Sequence, residues 1–83
     1  MLSGLSAFPV HAQNSLLRYA DKQYELENFS HAAALYEQAH ERKATYANAQ
    51  KAAMSYQNIQ EYDKSFEWWK TTISYEEATR EDF

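Results

Sequence analysis

Small and aromatic residues recur along this chain at helical spacing, and the whole cadence returns after 33 positions. Ala20, Phe29, Ala32, Tyr36 and Ala39 are answered by Ala53, Tyr62, Ser65, Trp69 and Thr72. Within each half the apolar positions fall three and four apart, which marks amphipathic helices. Leu16, Tyr19, Ala20 and Tyr24 stripe a first helix, expected from Gln13 to about Glu27. Ala32, Leu35, Tyr36 and Ala39 stripe a second, with Asn28 placed to cap its start through its side-chain oxygen. Arg42 and Lys43 close that helix, where positive charge suits the dipole. Thr45 is the expected cap of a third helix carrying Ala49, Ala52, Ala53 and Tyr56. After a turn at Glu61 to Asp63, a fourth carries Ser65, Trp68, Trp69, Thr72 and Ile73. Thr79-Arg80-Glu81-Asp82 has the form of a capping box and predicts the start of a fifth helix. It stands one residue from the last, so the array reads as cut short.

The spacing therefore predicts an all-α chain of two antiparallel helix hairpins plus the start of a fifth helix. A fixed period of this length is the mark of a repeat array, in which each unit is one supersecondary element stacked on the next. Repeat one is expected over about 13–45, repeat two over about 46–78, and a third from 79 to 83. The five alanines at 20, 32, 39, 52 and 53 let helix axes approach closely while neighbouring aromatic rings fill the space.

Composition adds constraints. With 83 residues and no cysteine, neither a large core nor disulfides can supply stability. Seven Tyr, four Phe and two Trp must carry the packing instead. A formal charge of -4, with no run of one sign, argues against a nucleic-acid surface. The only Gly and only Pro lie before residue 10, within an uncharged opening segment, 1–12. Val10-His11-Ala12 places small residues one and three positions before Gln13, as at a signal-peptide cleavage site. The segment is read as a signal-peptide remnant or a disordered leader, although no Lys or Arg precedes its apolar run. No stretch approaches the ~20 apolar residues of a membrane-spanning helix.

Few residues suggest chemistry. Glu37 and His40 form a Glu-x-x-His pair, a spacing that ligates metal when two such pairs face two further glutamates. The corresponding positions of the second unit, Lys70 and Ile73, offer no ligand, so no metal is expected. His31 and His11 have no partner pattern. No nucleophile stands beside a base and no carboxylates are paired, so neither a catalytic residue nor a cofactor site is expected. The aromatic residues lack the basic stripe that a base-stacking platform needs, and are read as core.

These positions resemble the tetratricopeptide repeat, a helix-turn-helix unit of about 34 residues. In that family a small residue lies midway along the first helix. An aromatic opens the second, and a small, an aromatic and another small residue follow. Departures are the period of 33, the lack of a closing Pro, and Leu16 and Ala49 where Trp is frequent. "ADKQYELENFSHAAALYEQA" and "SYQNIQEYDKSFEWW" are also similar to the N-terminal repeats of OmpA-family envelope proteins of the type IX secretion and gliding type. That resemblance implies an exported, periplasmic scaffold at the front of a longer chain.

The resemblance also implies a concave binding face on the first helix of each unit. Carried over, it comprises Asn14, Leu17, Asp21, Tyr24 and Glu25, then Ala47, Gln50, Met54, Gln57 and Asn58. The family's carboxylate clamp is absent, because Leu17 and Asp21 occupy two of its places. The face would suit a polar or mildly basic peptide segment. Trp69 is expected in the family's core slot, which leaves Trp68, with Ile73, to stack against an adjoining repeat or domain. The expected function is a non-enzymatic protein-interaction scaffold. Its competitor is a self-associating bundle that buries Trp68 and Ile73.

Overall fold

The computed structural model describes residues 10–80 and is all-helical there, with no strand among the described residues. Four helices follow one another: α1 (Val10–Glu25), α2 (Phe29–Arg42), α3 (Tyr46–Asn58) and α4 (Tyr62–Arg80). Each packs on the next. Connections this short oblige neighbours to run antiparallel. Alternate helices also touch: Tyr24 of α1 reaches Asn58 of α3, and His40 of α2 reaches Tyr75 of α4. The result is a plate, 42 × 40 × 18 Å, about two helices thick.

The predicted stripes of α2 and α3 are the core, whereas Tyr19 on the stripe of α1 and Ile73 on that of α4 are exposed and Trp69 is half-buried. Ala32, Leu35, Tyr36 and Ala39 of α2 are buried, as are Ala49, Ala52, Ala53 and Tyr56 of α3 and Ala20 of α1. Ala20, Ala32, Leu35, Tyr36 and Ala52 form one cluster, with Leu16, Leu17, Tyr24 and Trp68 packed around it. Alanines from three helices meet there because a larger side chain would hold the axes apart. Tyr36 fills the remaining space and is fully buried. Burial of such a ring contributes about 2–3 kcal/mol. In the second hairpin Ser65 stands where the first has Ala32. Its hydroxyl donates to the Ala53 carbonyl at 3.1 Å, so the small polar residue ties α4 to α3. The buried hydroxyls of Ser55 and Thr72 donate to carbonyls one turn back, Lys51 and Trp68. Among the described residues no buried side-chain polar atom lacks a partner.

The two intra-hairpin turns are built alike. Asn28 N–H bonds Gln23 C=O and Glu27 N–H bonds Tyr24 C=O; Glu61 N–H bonds Tyr56 C=O and Gln60 N–H bonds Gln57 C=O. Each pair is the double bond of a Schellman C-cap, which places the penultimate loop residue in the left-handed region. Glu27 (φ 64°) and Gln60 (φ 62°) are those residues, and they stand 33 apart. Neither is glycine, so each carries the Cβ penalty of that conformation. Glu27→Gly and Gln60→Gly are therefore expected to stabilise the fold by about 0.5–1 kcal/mol each. The gains should add, since the loops are separate. Urea denaturation of the two variants and their combination measures this, and a loss of stability in both would contradict the loop geometry.

Other sequence expectations are modified. α1 starts at Val10, ahead of the expected Gln13, so Val10, His11 and Ala12 belong to it; residues 1–9 of the leader lie outside the described residues. Thr45 caps α3 as expected, its Oγ1 accepting from Asn48 N–H at 3.1 Å. Asn28 makes no side-chain cap. Its Nδ2 donates instead to Gln23 Oε1 at 2.9 Å, and its backbone (φ -87°, ψ 67°) lies outside the extended region that aims an N-cap side chain at the first turn. The fifth helix does not begin at Thr79. Thr79 and Arg80 continue α4, and the remainder of that capping box lies outside the described residues. No Gly or Pro follows Ile73 to end the helix, and a threonine alone does not interrupt a run of helix formers.

Candidate functional site

The expected concave residues come from α1 and α3, and two of them, Tyr24 and Asn58, meet across those helices. The Tyr24 ring meets Phe29 edge-on at 5.0 Å and Tyr36 at 6.4 Å between centroids. From α3, Lys51 Nζ stands 4.9 Å from its centroid, and Asn58 Nδ2 donates to its hydroxyl at 3.1 Å. Asn58 Nδ2 also donates to the Met54 carbonyl at 3.0 Å. Tyr24 is thereby fixed from both helices, with its polar edge toward water.

Around it the face is mixed. Glu25, Ala47 and Gln57 are exposed, while Gln50 and Met54 are half-buried. Gln57 Oε1 accepts from Trp69 Nε1 at 3.2 Å, which joins the face to α4. Asp21 accepts a short hydrogen bond from the Tyr36 hydroxyl and so serves the core with one oxygen. Leu17 is half-buried against the central cluster rather than presented outward. Asn14 lies in α1, but its side chain falls outside the described part. Lys51 is the member that sequence reasoning missed. It sits 27 positions from Tyr24, and only the hairpin geometry brings the two together.

A second cluster joins α2, α3 and α4. Glu37 Oε2 accepts from the Tyr56 hydroxyl at 2.8 Å and from Trp68 Nε1 at 3.0 Å. His40 Nε2 lies 2.8 Å from the Tyr75 hydroxyl, and its ring meets Trp68 edge-on at 5.0 Å. The Glu37-x-x-His40 pair is thus occupied by aromatic partners. Among the described residues no group of three or more metal-ligating side chains converges. Burial, then the Asp21 hydrogen bond and charge, push the Tyr36 hydroxyl far above the ordinary tyrosine range. Burial, followed by the Glu37 bond, pushes Tyr56 up to about 12.

Trp68 and Ile73, expected together on a stacking surface, face different ways. Trp68 turns inward onto the central cluster, whereas Ile73 is 48 % exposed. Trp69, expected in the core, is half-buried. The repeat explains the exchange. Trp68 corresponds to Leu35 and takes its inward place, while Trp69 corresponds to Tyr36, whose slot α3 closes. No described helix follows α4 to close the slot of Trp69 in the same way. No helix is long and apolar enough to cross a membrane among the described residues. Comparison with protein-family models, curated proteins and solved structures finds no match for this chain.

Proposed function

We propose that this chain is a non-enzymatic scaffold of the tetratricopeptide type, presenting the α1–α3 face to an extended, polar or mildly basic peptide segment. The observation that carries the reading is the pair of turns around Glu27 and Gln60. They share backbone bonding and a left-handed residue at a separation of 33. Equal turns at a fixed period are what a solenoid needs to give successive hairpins one orientation. The face itself is held in place before any partner arrives, since Tyr24, Asn58, Gln57 and Asp21 already have internal partners. A surface ordered in advance loses less entropy on binding. Glu25 and the second oxygen of Asp21 supply the acidic character, and Gln50 and the backbone-anchored Asn58 supply amides.

With this goes a location, the periplasmic side of a cell envelope, as the N-terminal part of a longer protein. It rests on the resemblance and on the Val10-His11-Ala12 pattern. The peptide reading is tested by ¹H–¹⁵N titration with ten-residue peptides of basic, neutral and acidic composition. The basic peptide should shift amides of α1 and α3 near Asp21, Glu25, Gln50 and Asn58. Glu25→Lys, on an exposed position, should weaken that binding about five- to tenfold, the scale of one lost ion pair and one added repulsion. Shifts confined to α4, or none with any peptide, would overturn the proposal.

A further inference from the structure

The outer side of α4 carries Tyr62, Phe66, Trp69 and Ile73, spaced four, three and four apart on one face. Tyr62 is 62 % exposed and Phe66 61 %, which is unusual for a run of large apolar side chains on a single stripe. The positions 33 earlier on α2 are Phe29, Ala33, Tyr36 and His40. Ala33 and Tyr36 are fully buried there, because α2 is followed by α3. The exposed stripe is therefore the same surface, without its cover.

Among the described residues the chain does not fold back to cover it in the same register. α2 ends at Arg42, whose counterpart is Tyr75, yet α4 continues without a turn to Arg80. Head-to-tail stacking of a second molecule is also disfavoured. Where α3 offers Ala49 and Ala52 to α2, α1 offers Leu16 and Tyr19, too bulky for the same close approach. Pairing of α4 with α4 is not tied to the close, alanine-lined approach of α2 and α3, so large side chains from the two copies can interdigitate at a wider separation.

We infer that the α4 stripe is the contact between two copies of this chain, paired antiparallel about a two-fold axis beside Trp69. The axis sets Phe66 opposite Ile73 of the second copy and brings the two Trp69 rings together. An isologous contact of this kind closes at two. Aromatic side chains carry about 150–250 Å² each, so the exposed part of the stripe offers on the order of 300–400 Å² per copy. Two copies then bury roughly 600–800 Å² of apolar area. At the usual apolar share this is about 1,000–1,300 Å² in all, the lower edge of specific interfaces. The dimer is therefore reversible, with Kd on the order of 10–100 µM. Asp63 and Glu77 flank the stripe and lie opposite one another across the axis, so added salt tightens the pairing. The contact adjoins the α1–α3 face only at Gln57, which Trp69 already engages.

Sedimentation equilibrium of the 83-residue chain from about 5 to 500 µM tests this. The expected result is a monomer–dimer equilibrium that strengthens with salt. Phe66→Glu and Ile73→Glu, both on exposed positions, should each weaken it at least tenfold with the far-UV circular dichroism unchanged. The chain has no cysteine, so an introduced one reports geometry cleanly. Lys70→Cys, next to the axis, should oxidise to a covalent dimer, whereas Glu77→Cys, far from its symmetry mate, should not. A monomer throughout the series overturns the inference and leaves the stripe to a foreign helix or a further segment of a longer chain. Association that Phe66→Glu leaves intact, or that grows beyond two, overturns it as well.

Discussion

Replacing Tyr36 by alanine is expected to remove about 3–5 kcal/mol of stability, enough to unfold much of the chain at 25 °C. A domain of 83 residues has on the order of 4–12 kcal/mol to lose. Tyr36 is fully buried and packs with alanines from α1, α2 and α3, none of which can move in to refill the space. Its hydroxyl also reaches Asp21 of α1. Tyr36→Phe separates the two contributions. It keeps the ring and loses only the hydrogen bond to a carboxylate that faces water, at a cost of about 1–2 kcal/mol. Urea denaturation of both variants gives the comparison. Equal losses would mean that the hydroxyl, not the ring, holds α1 to α2.

That Tyr36 would be central could be read from the sequence, because Ala32, Ala33 and Ala39 stand three and four residues from it. The same periodicity gave the stripes of α2 and α3, every member of which is buried. It gave less for α4. There the choice between Trp68 and Trp69 depends on whether another helix follows, and periodicity within one helix carries no such information. The end of α4 was misread for a related reason. A Thr-x-x-Asp pattern caps a helix only where the preceding helix has already stopped, and nothing after Ile73 stops it. The left-handed Glu27 and Gln60 were hidden because neither is the glycine that normally marks such a turn. Of the candidate face, the helices that carry it were legible, but not that Leu17 and Asp21 turn toward the core. The Lys51–Tyr24 and Trp69–Gln57 contacts were not, since each joins residues on different helices.

Glu37 was noticed for its spacing to His40, but its place in the structure gives it a different task and a large expected effect. One carboxylate oxygen accepts from Tyr56 of α3 and Trp68 of α4, so a single α2 side chain fastens both later helices. Glu37→Ala leaves the donors of buried Tyr56 and half-buried Trp68 without a partner and is expected to cost about 2–3 kcal/mol. Glu37→Gln keeps an acceptor oxygen and should cost about 1 kcal/mol. Emission from Trp68 should shift to the red in the alanine variant as its indole N–H turns to water. An alkaline titration supplies an independent arm. The Tyr56 hydroxyl keeps its proton to about pH 12 in the folded chain, against 10 as its ordinary value. Between those values the unfolded state binds fewer protons, so the stabilisation is complete below pH 10 and is lost as pH rises toward 12. Tyr36 acts in the same direction. Removing Glu37 takes away the bond and the charge but leaves the burial, which lowers the folded-state value and narrows that window. The alanine variant should therefore lose less stability in total between pH 10 and 12 than the parent, although it starts from a lower level. An unchanged total loss would show that burial alone keeps the Tyr56 proton in place, and that Glu37 fastens α3 without influencing its charge state.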